Sequence, residues 1–370
     1  MPGLRVGFDA TPLLGTPTGV GVFAGQVLQA LANRSDLDLV AYGLTWRGRQ
    51  HLSSLVPDRV SVSSRPMAAR PLRMAWAHCD LPPIEWWSKS IDVVHGTNFV
   101  VPPTNNAAAL VTVHDLTCIR FPELCTPDTL EYPNLLRRAF KRGAHVHAVS
   151  QFVADEVIEL LGAEPKRVHV VHHGHLDVSG GDPERGKKLV GASRYVLALG
   201  TVEPRKDLIT LIRAFNEVAS EDPDLHLGIA GPDGWGADEL NAMAVSSIYR
   251  DRIRRLGWVS NVDRAALLAG AAIFAYPSLY EGFGFPPLEA MSVGVPVVTT
   301  DAGALPEVLG DGALFSSIRH VEDLARNISR LLSDDELRQK MISRGKEQSL
   351  LYQWDKCGEG LASVYQKISD

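Results

Sequence analysis

The sequence predicts the α/β class, with two doubly wound, Rossmann-like domains built on parallel sheets. Three observations predict it. At 370 residues the chain sits near the length at which a single core divides in two. Short, nearly continuous apolar runs recur along it, each followed by a segment of helical periodicity, the pattern of parallel strands covered on both faces by helices. The runs fall into two series, separated by a stretch without apolar periodicity.

In the first series, strands are expected at "LRVGFDA" (4–10), "LDLVAYGL" (37–44), "IDVVHGT" (91–97), "ALVTVHDL" (109–116), "AHVHAVS" (144–150) and "VHVVHHG" (168–174). Ser150 stands where its hydroxyl would cap a helix over 151–162. The second series is expected at "YVLALGT" (195–201), "LHLGIAG" (225–231), "AAIFAYPS" (271–278) and "VPVVTTDAG" (295–303). Between the two lies "HLDVSGGDPERGKKLVGAS" (175–193), rich in Gly, Ser, Asp and Lys, which reads as a linker over 176–193. The expected domains are therefore residues 1–175 and 194–352. In the final stretch, Leu361, Val364 and Ile368 share one helical face, so a helix over 353–370 is expected to pack on an apolar surface.

Composition fits a globular protein: 45% of residues are apolar and 22% charged. The longest apolar runs, such as "AAALVTV" (107–113), fall far short of the roughly 20 residues a membrane span needs. "MPGLRVGFDA" enters a strand pattern without the layout of a secretory signal, so a cytoplasmic location is expected. Cys79, Cys118, Cys125 and Cys357 form no CxxC pair and read as ordinary reduced thiols. The net charge of −6 argues against general nucleic-acid binding. Basic residues alternate with aromatics in "RPMAARPLRMAWAHCDLPPIEWW" (65–87) and "LLRRAFKRG" (135–143), which suits either solvated helix faces or peripheral contact with an anionic membrane surface.

The most informative stretch is "AAIFAYPSLYEGFGFPPLEAMSVG" (271–294). The apolar run ends at Pro277-Ser278, a glycine-rich loop follows, and Pro286 or Pro287 is placed to start a helix. A loop at the carboxyl end of a parallel strand and the amino end of a helix is where open α/β sheets bind ligands. Gly282 and Gly284, interleaved with Phe283 and Phe285, allow close backbone approach to a ligand. Glu281 would repel a phosphate, so its natural partner is a polyol whose hydroxyls it can accept. Glu289 either complements the helix dipole or holds a second diol such as a ribose. In "LALGTVEPRKDL" (197–208), Arg205 and Lys206 sit beside a helix start, as a solvated basic pair or as the clamp of a diphosphate.

In the first half, "DATPLLGTPTGVGVFAGQVLQAL" (9–31) holds Gly19 and Gly21 in a glycine pattern that lies too far from its strand for a dinucleotide fingerprint. Asp9 upstream reads as a cap or a polar site residue. His114 and Asp115 end a strand, as turn residues or as an imidazole with an orienting carboxylate. His95 and Asn98 are further candidates. His172 and His173, adjacent in a strand, would face opposite sides and could not share a metal ion, and no Asp-any-Asp motif follows a strand, so no metal is expected.

On these residues the chain resembles glycosyltransferase family 4, retaining enzymes of the GT-B fold. "YEGFGFPPLEAMSVGVPVVTTDAGALPEVLGDGALF" is similar to the family's donor-site signature, with Glu281 and Glu289 at its two glutamates and Glu307 in the segment that closes the pocket. "GTVEPRKD" resembles the phosphate-binding turn, in a form similar to bacterial mannosyltransferases that use GDP-mannose. Where many relatives carry an arginine after the strand glycine this chain has Thr201, and Arg205 is expected to supply that charge. The resemblance implies two domains facing across a cleft, with the C-terminal helix crossing back to the first. It also implies that Glu281 contacts donor-sugar hydroxyls, amides of Gly282 to Phe285 contact sugar and phosphate, and Glu289 holds the ribose. Arg205 and Lys206 would stabilise the departing diphosphate, Gly19 and Gly21 would lie in the loop before the first long helix, and His114 would orient the reacting carbon. The expected activity is metal-independent transfer of a hexose, above all mannose from GDP-mannose, to a hydroxyl of a glycan or lipid-linked acceptor. A UDP- or ADP-sugar transferase and a catalytically silent binding protein of the same fold are the alternatives. A glycoside hydrolase using Glu281 and Glu289 would have no need of the basic turn.

Overall fold

The computed structural model of the chain describes residues 3–15, 18–46, 48–63, 65–88 and 90–369. It divides into two compact units, Met1–Gly174 with Gln353–Asp370, and His175–Tyr352. Among the described residues no helix is long and apolar enough to cross a membrane.

The first unit is one parallel sheet of seven strands: β1 (Leu4–Asp9), β2 (Leu37–Tyr42), β3 (Ser61–Val62), β4 (Val93–Gly96), β5 (Ala108–Val113), β6 (His145–Ala148) and β7 (Val168–Val170). Their order is β3-β2-β1-β4-β5-β6-β7, which reverses between β1 and β4. The helix Gly19–Ala32 turns Phe23, Val27, Leu28 and Leu31 onto Val6 and Phe8 of β1. The terminal helix Trp354–Ser369 closes the same core with Leu361 and Tyr365. It lies so near Gly19–Ala32 that a Cβ on Gly358 would stand 2.8 Å from Cβ of Ala30, which reserves that position for glycine. The helix Gln151–Leu161 begins at Ser150, whose Oγ accepts from Val153 N at 3.2 Å, and ends at Gly162 in the left-handed region. His172 and His173 follow β7 in irregular backbone rather than in a strand.

A buried relay of polar groups crosses this unit. His147 Nε2 donates to the Val171 carbonyl at 2.8 Å, which leaves Nδ1 as acceptor for the Thr112 hydroxyl at 2.9 Å. Thr112 Oγ1 then accepts from His95 Nε2 at 2.7 Å, and His95 Nδ1 accepts from the Tyr365 hydroxyl at 2.6 Å. Each group donates once along the line, with both imidazoles neutral. His95 is thus a fully buried core residue, which corrects its reading as a site candidate.

The second unit is a parallel sheet of six strands: β8 (Arg194–Leu199), β9 (Leu225–Ala230), β10 (Ile253–Gly257), β11 (Ile273–Tyr276), β12 (Val297–Thr300) and β13 (Ala313–Ser316). Their order, β10-β9-β8-β11-β12-β13, reverses between β8 and β11. The segment expected as a linker instead carries a helix, Pro183–Val190, capped by Asp182 and ended by Gly191. It belongs to the second unit and packs backbone against backbone on the helix Asn261–Gly270. A Cβ on Gly181 or Gly186 would come within 2.1 Å of the Ala265 and Ala266 carbonyl oxygens, respectively. Its composition hid it, because glycine rather than an apolar face makes the contact.

Burial pushes His147 down to about 3 and His95 well below its ordinary value. A base whose pKa is lowered on folding adds stability above its unfolded value near 6.5, and that stability is lost as pH falls further. Chemical denaturation from pH 8 to 4 should therefore show stability dropping below about pH 6.5, and a flat profile contradicts the neutral relay. Tyr365→Phe should cost about 1–3 kcal/mol, because it orphans a buried acceptor.

Candidate active site

The two loops at the point where the second sheet reverses are bound to each other. After β8, Gly200 (φ 148°) hydrogen-bonds Ala230 O at 2.9 Å, and Gly231 approaches it so closely that a Cβ there would lie 1.9 Å from Gly200 O. The chain then makes a single 3-10 turn, Pro204–Lys206, and enters the helix Leu208–Val218. After β11, Leu279 N donates to Arg205 O at 2.8 Å, and Arg205 Nη1 donates to Tyr280 O at 2.6 Å. The third support is the loop after β12, where Ala304 N donates to Glu281 O at 2.8 Å. Gly303 (φ 59°) is required there, since a Cβ would stand 2.3 Å from Glu281 O.

These contacts bring together three of the predicted residues. Glu281 Oε2 lies 2.9 Å from Arg205 Nη1, and Glu281 Oε1 lies 2.6 Å from Lys206 Nζ. Arg205 also pairs with Glu203 at 2.7 Å, and Lys206 donates to the Tyr276 hydroxyl while resting over its ring. Burial would raise the Glu281 carboxyl, yet Arg205 and Lys206 hold it down at about 2. Glu281 is therefore a fixed anion inside a cationic pair, and the two roles that the sequence kept apart, polyol contact and diphosphate clamp, share one cluster.

Glu289 lies apart from that cluster. The helix Phe285–Ser292 starts at Gly284 (φ 113°) with prolines in its first turn, and Glu289 is the fifth residue, 1% exposed. Its Oε2 accepts from Nε of Arg264 at 2.7 Å and from Nη2 of the same guanidinium. Burial raises the Glu289 carboxyl to about 7 against that pull. Arg264, on the helix Asn261–Gly270, is a site residue that sequence reasoning missed. No motif marks it, because its partner is 25 residues away on another helix. The Phe283 side chain packs on Phe285 and Tyr352, with ring centroids 5.4 and 5.6 Å away. Thr201 is exposed beyond Gly200, and Glu307 sits in the short helix Leu305–Leu309.

In the first unit the glycines open the helix rather than precede it. Gly19 is the first residue of Gly19–Ala32, and Gly21 N donates to Oγ1 of the capping Thr18. Gly21 also passes so near Pro12 O that a Cβ would lie 2.9 Å from it. Thr16 and Pro17, within the expected glycine loop, lie outside the described residues. His114 follows β5, and its Nε2 donates to the Thr97 carbonyl at 2.9 Å, with Phe23 and Phe99 set edge-on to the ring. Burial lowers its pKa, so the ring is neutral at pH 7 and Nδ1 is an acceptor. Asp115 does not orient it: Asp115 Oδ1 accepts from Thr117 N at 2.9 Å and starts the next helical turn. The orienting group is the Thr97 carbonyl. Asp9 is buried at the end of β1, raised to about 6 by burial, and accepts from both N and Oγ1 of Thr11.

A family model described as "Glycosyl transferases group 1" matches residues 183–348, and one described as "Glycosyltransferase Family 4" matches residues 17–175. O-antigen chain mannosyltransferase B of Escherichia coli is 31% identical over 306 residues, covering 80% of this chain and 78% of that protein. O-antigen chain mannosyltransferase RfbU of Salmonella typhimurium is 27% identical, covering 85% and 90%. Among solved structures, Anabaena HepE in complex with UDP and glucose superimposes with a TM-score of 0.75 at 18% identity, over 98% of this chain and all of that one. WaaG, a glycosyltransferase involved in lipopolysaccharide biosynthesis, does so with 0.73 at 17%, over 97% and 99%. At these identities the structural likeness is one of fold.

Removing Glu281 would leave Lys206 without a carboxylate partner and Arg205 with Glu203 alone, in a site where each cationic side chain is about one-seventh exposed. Glu281→Ala should cost about 3–5 kcal/mol of stability by urea denaturation, and Glu281→Ala combined with Lys206→Met should cost less than the sum of the two single changes. Additive costs would show that the pair is not coupled.

Proposed function

We propose, for a chain that belongs to glycosyltransferase family 4 and has the GT-B fold, the retaining transfer of mannose from GDP-mannose to a hydroxyl of a glycan or lipid-linked acceptor. The observation that carries this reading is the cluster of Arg205, Lys206 and Glu281 where the second sheet reverses. Two buried cations side by side suit a diphosphate, whose charge grows as it leaves the sugar. A carboxylate held between them has hydroxyls, not phosphates, as its partners. The mannose assignment is supported by relatives named as mannosyltransferases.

In this reading Glu281 orients donor-sugar hydroxyls, and Arg205 and Lys206 stabilise the departing diphosphate. Backbone amides of Gly282 to Phe285 at the helix start receive sugar and phosphate oxygens, and Glu289 accepts ribose hydroxyls. Glu281 is a poor covalent nucleophile, because both of its oxygens are engaged by cations. The retaining step is instead assigned to the leaving phosphate, which draws the acceptor proton while the acceptor enters on the same face. His114 enters as a neutral imidazole whose Nδ1 accepts a hydroxyl hydrogen bond. No step needs a metal, since the charge is supplied by side chains. The proposed nucleotide-sugar donor supports a cytoplasmic reaction in this reading. Met74, Leu81 and Trp86, each more than half exposed, together with Arg138 and Arg142, which meet Asp80 next to Leu81, support peripheral contact with the membrane that would carry a lipid-linked acceptor.

Thermal-shift measurement against GDP, UDP and ADP and their sugar conjugates should give the largest stabilisation with GDP and GDP-mannose, and a larger response to UDP or ADP would reassign the nucleotide. Arg205→Ala with Lys206→Ala should weaken GDP binding by roughly a hundredfold, as expected for two lost charge-assisted contacts. Equal affinity by calorimetry moves the diphosphate elsewhere. Turnover should persist in EDTA, and its loss would overturn metal independence.

A further inference from the structure

The Arg264–Glu289 pair is left unexplained by the reading above, which gives Glu289 a ligand but Arg264 no task. We propose that Arg264 is a positioning residue: its guanidinium fixes Glu289 through Oε2 and turns Oε1 toward the vicinal diol of the donor's ribose. The inference rests on the ribose assignment of Glu289 made above and adds to it the residue that makes Glu289 competent.

Three observations carry it. Both hydrogen bonds from the guanidinium to this 1%-exposed carboxylate fall on one oxygen, Oε2, so Oε1 stands outside the ion pair. The second oxygen of a carboxylate keeps its own lone pairs and can accept a ligand hydroxyl while the first is held by the guanidinium. The helix that carries Arg264 is also held unusually firmly. Ser260 Oγ caps it by accepting from Asp263 N, Tyr195 donates to Leu267 O at 2.6 Å, and Gly181 and Gly186 seat the Pro183–Val190 helix directly on its backbone. Arg185 of that helix reaches Asp263, the neighbour of Arg264, at 2.7 Å. A long arginine side chain is a good positioning device only on such a fixed base.

Charge follows from the same geometry. From the helix Asn261–Gly270 the charged group facing Glu289 is Arg264. The helix Asp335–Ser349 presents Gly345 to Met291, while its Lys346 lies against Gly294 and its Arg344 pairs with Asp311. Strands β11 and β12 carry no charged residue. Burial raises Glu289 to about 7 even with Arg264 in place. Without the guanidinium the carboxyl would take up its proton at still higher pH and lose acceptor capacity at neutrality.

The test is calorimetric titration of the full chain with GDP and with 2′,3′-dideoxy-GDP between pH 6 and 9, for the unaltered protein, Arg264→Gln, Arg264→Lys and Glu289→Gln. GDP affinity of the unaltered protein should rise through about pH 7. Arg264→Gln should lower GDP affinity roughly tenfold at pH 7, the scale of a charge-assisted hydrogen bond, and move the midpoint of the pH profile upward. Arg264→Lys should restore part of the affinity, and dideoxy-GDP should bind all four proteins alike. Equal weakening of GDP and dideoxy-GDP in Arg264→Gln, or an unmoved pH midpoint, overturns the proposal and leaves a merely structural arginine. If Glu289→Gln weakens GDP while Arg264→Gln does not, the ribose reading stands and the role of Arg264 falls. If Glu289→Gln has no effect on GDP, the ribose reading itself fails, and the proposal with it.

Discussion

The second unit is organised around a buried anion, Glu281, held between Arg205 and Lys206. The three residues come from two loops that neighbour each other only because the strand order reverses between β8 and β11. A buried ion pair is tolerated when its remaining polar atoms are satisfied. Here Glu203, Tyr276 and the Tyr280 carbonyl complete the cations, while Gly303 and Ala304 clamp the backbone of Glu281. The glycines of this region have a common cause. Gly231 lets the two strand ends meet, and Gly303 lets the third loop reach Glu281. Fixing charges in place before a substrate arrives is what lets a site act on developing charge without reorganising during the reaction.

The first unit solves a different problem, that of joining the end of the chain to its beginning. The helix Trp354–Ser369 docks on Gly19–Ala32 through apolar residues and a glycine contact. Tyr365 adds one directional bond, which passes through His95, Thr112 and His147 across β4, β5 and β6. An apolar face alone would permit sliding by a turn, whereas a hydroxyl that must meet one nitrogen does not. The same relay lies behind His114, whose ring packs on Phe23 beside the relay's His147.

Most of the fold was legible because parallel strands buried on both faces announce themselves as apolar runs. The strands missed, β3, β10 and β13, are those the signal cannot reach: Ser61–Val62 is two residues long, Ile253–Gly257 carries two arginines, and Ala313–Ser316 follows a glycine turn. The helix Pro183–Val190 was hidden by its own glycines and lysines. At the site, Arg205, Lys206, Glu281 and Glu289 could be found because each lies next to a strand end or a proline-started helix. Their partners could not. Nothing local to "NVDRAALLAG" points at Glu289, and nothing in "VVHGTN" marks the Thr97 carbonyl as the acceptor for His114. Pairings of this kind are properties of the packed helices and loops, which local pattern does not encode.

The two glutamates flanking the glycine loop then have a physical rationale as a pair. They are eight positions apart and both buried, yet their surroundings drive them in opposite directions, Glu281 to about 2 and Glu289 to about 7. Two cations outweigh burial at the first, and a single arginine on one oxygen does not outweigh it at the second. Environment, not residue type, thus divides the labour between like side chains. A hydrolytic pair needs one carboxyl free to attack, and at Glu281 both oxygens are already taken by cations. Glu281 lies 2.9 Å from Arg205 and 2.6 Å from Lys206, whereas Glu289 pairs with Arg264, so in the proposed donor site the two carboxylates would meet different parts of the ligand.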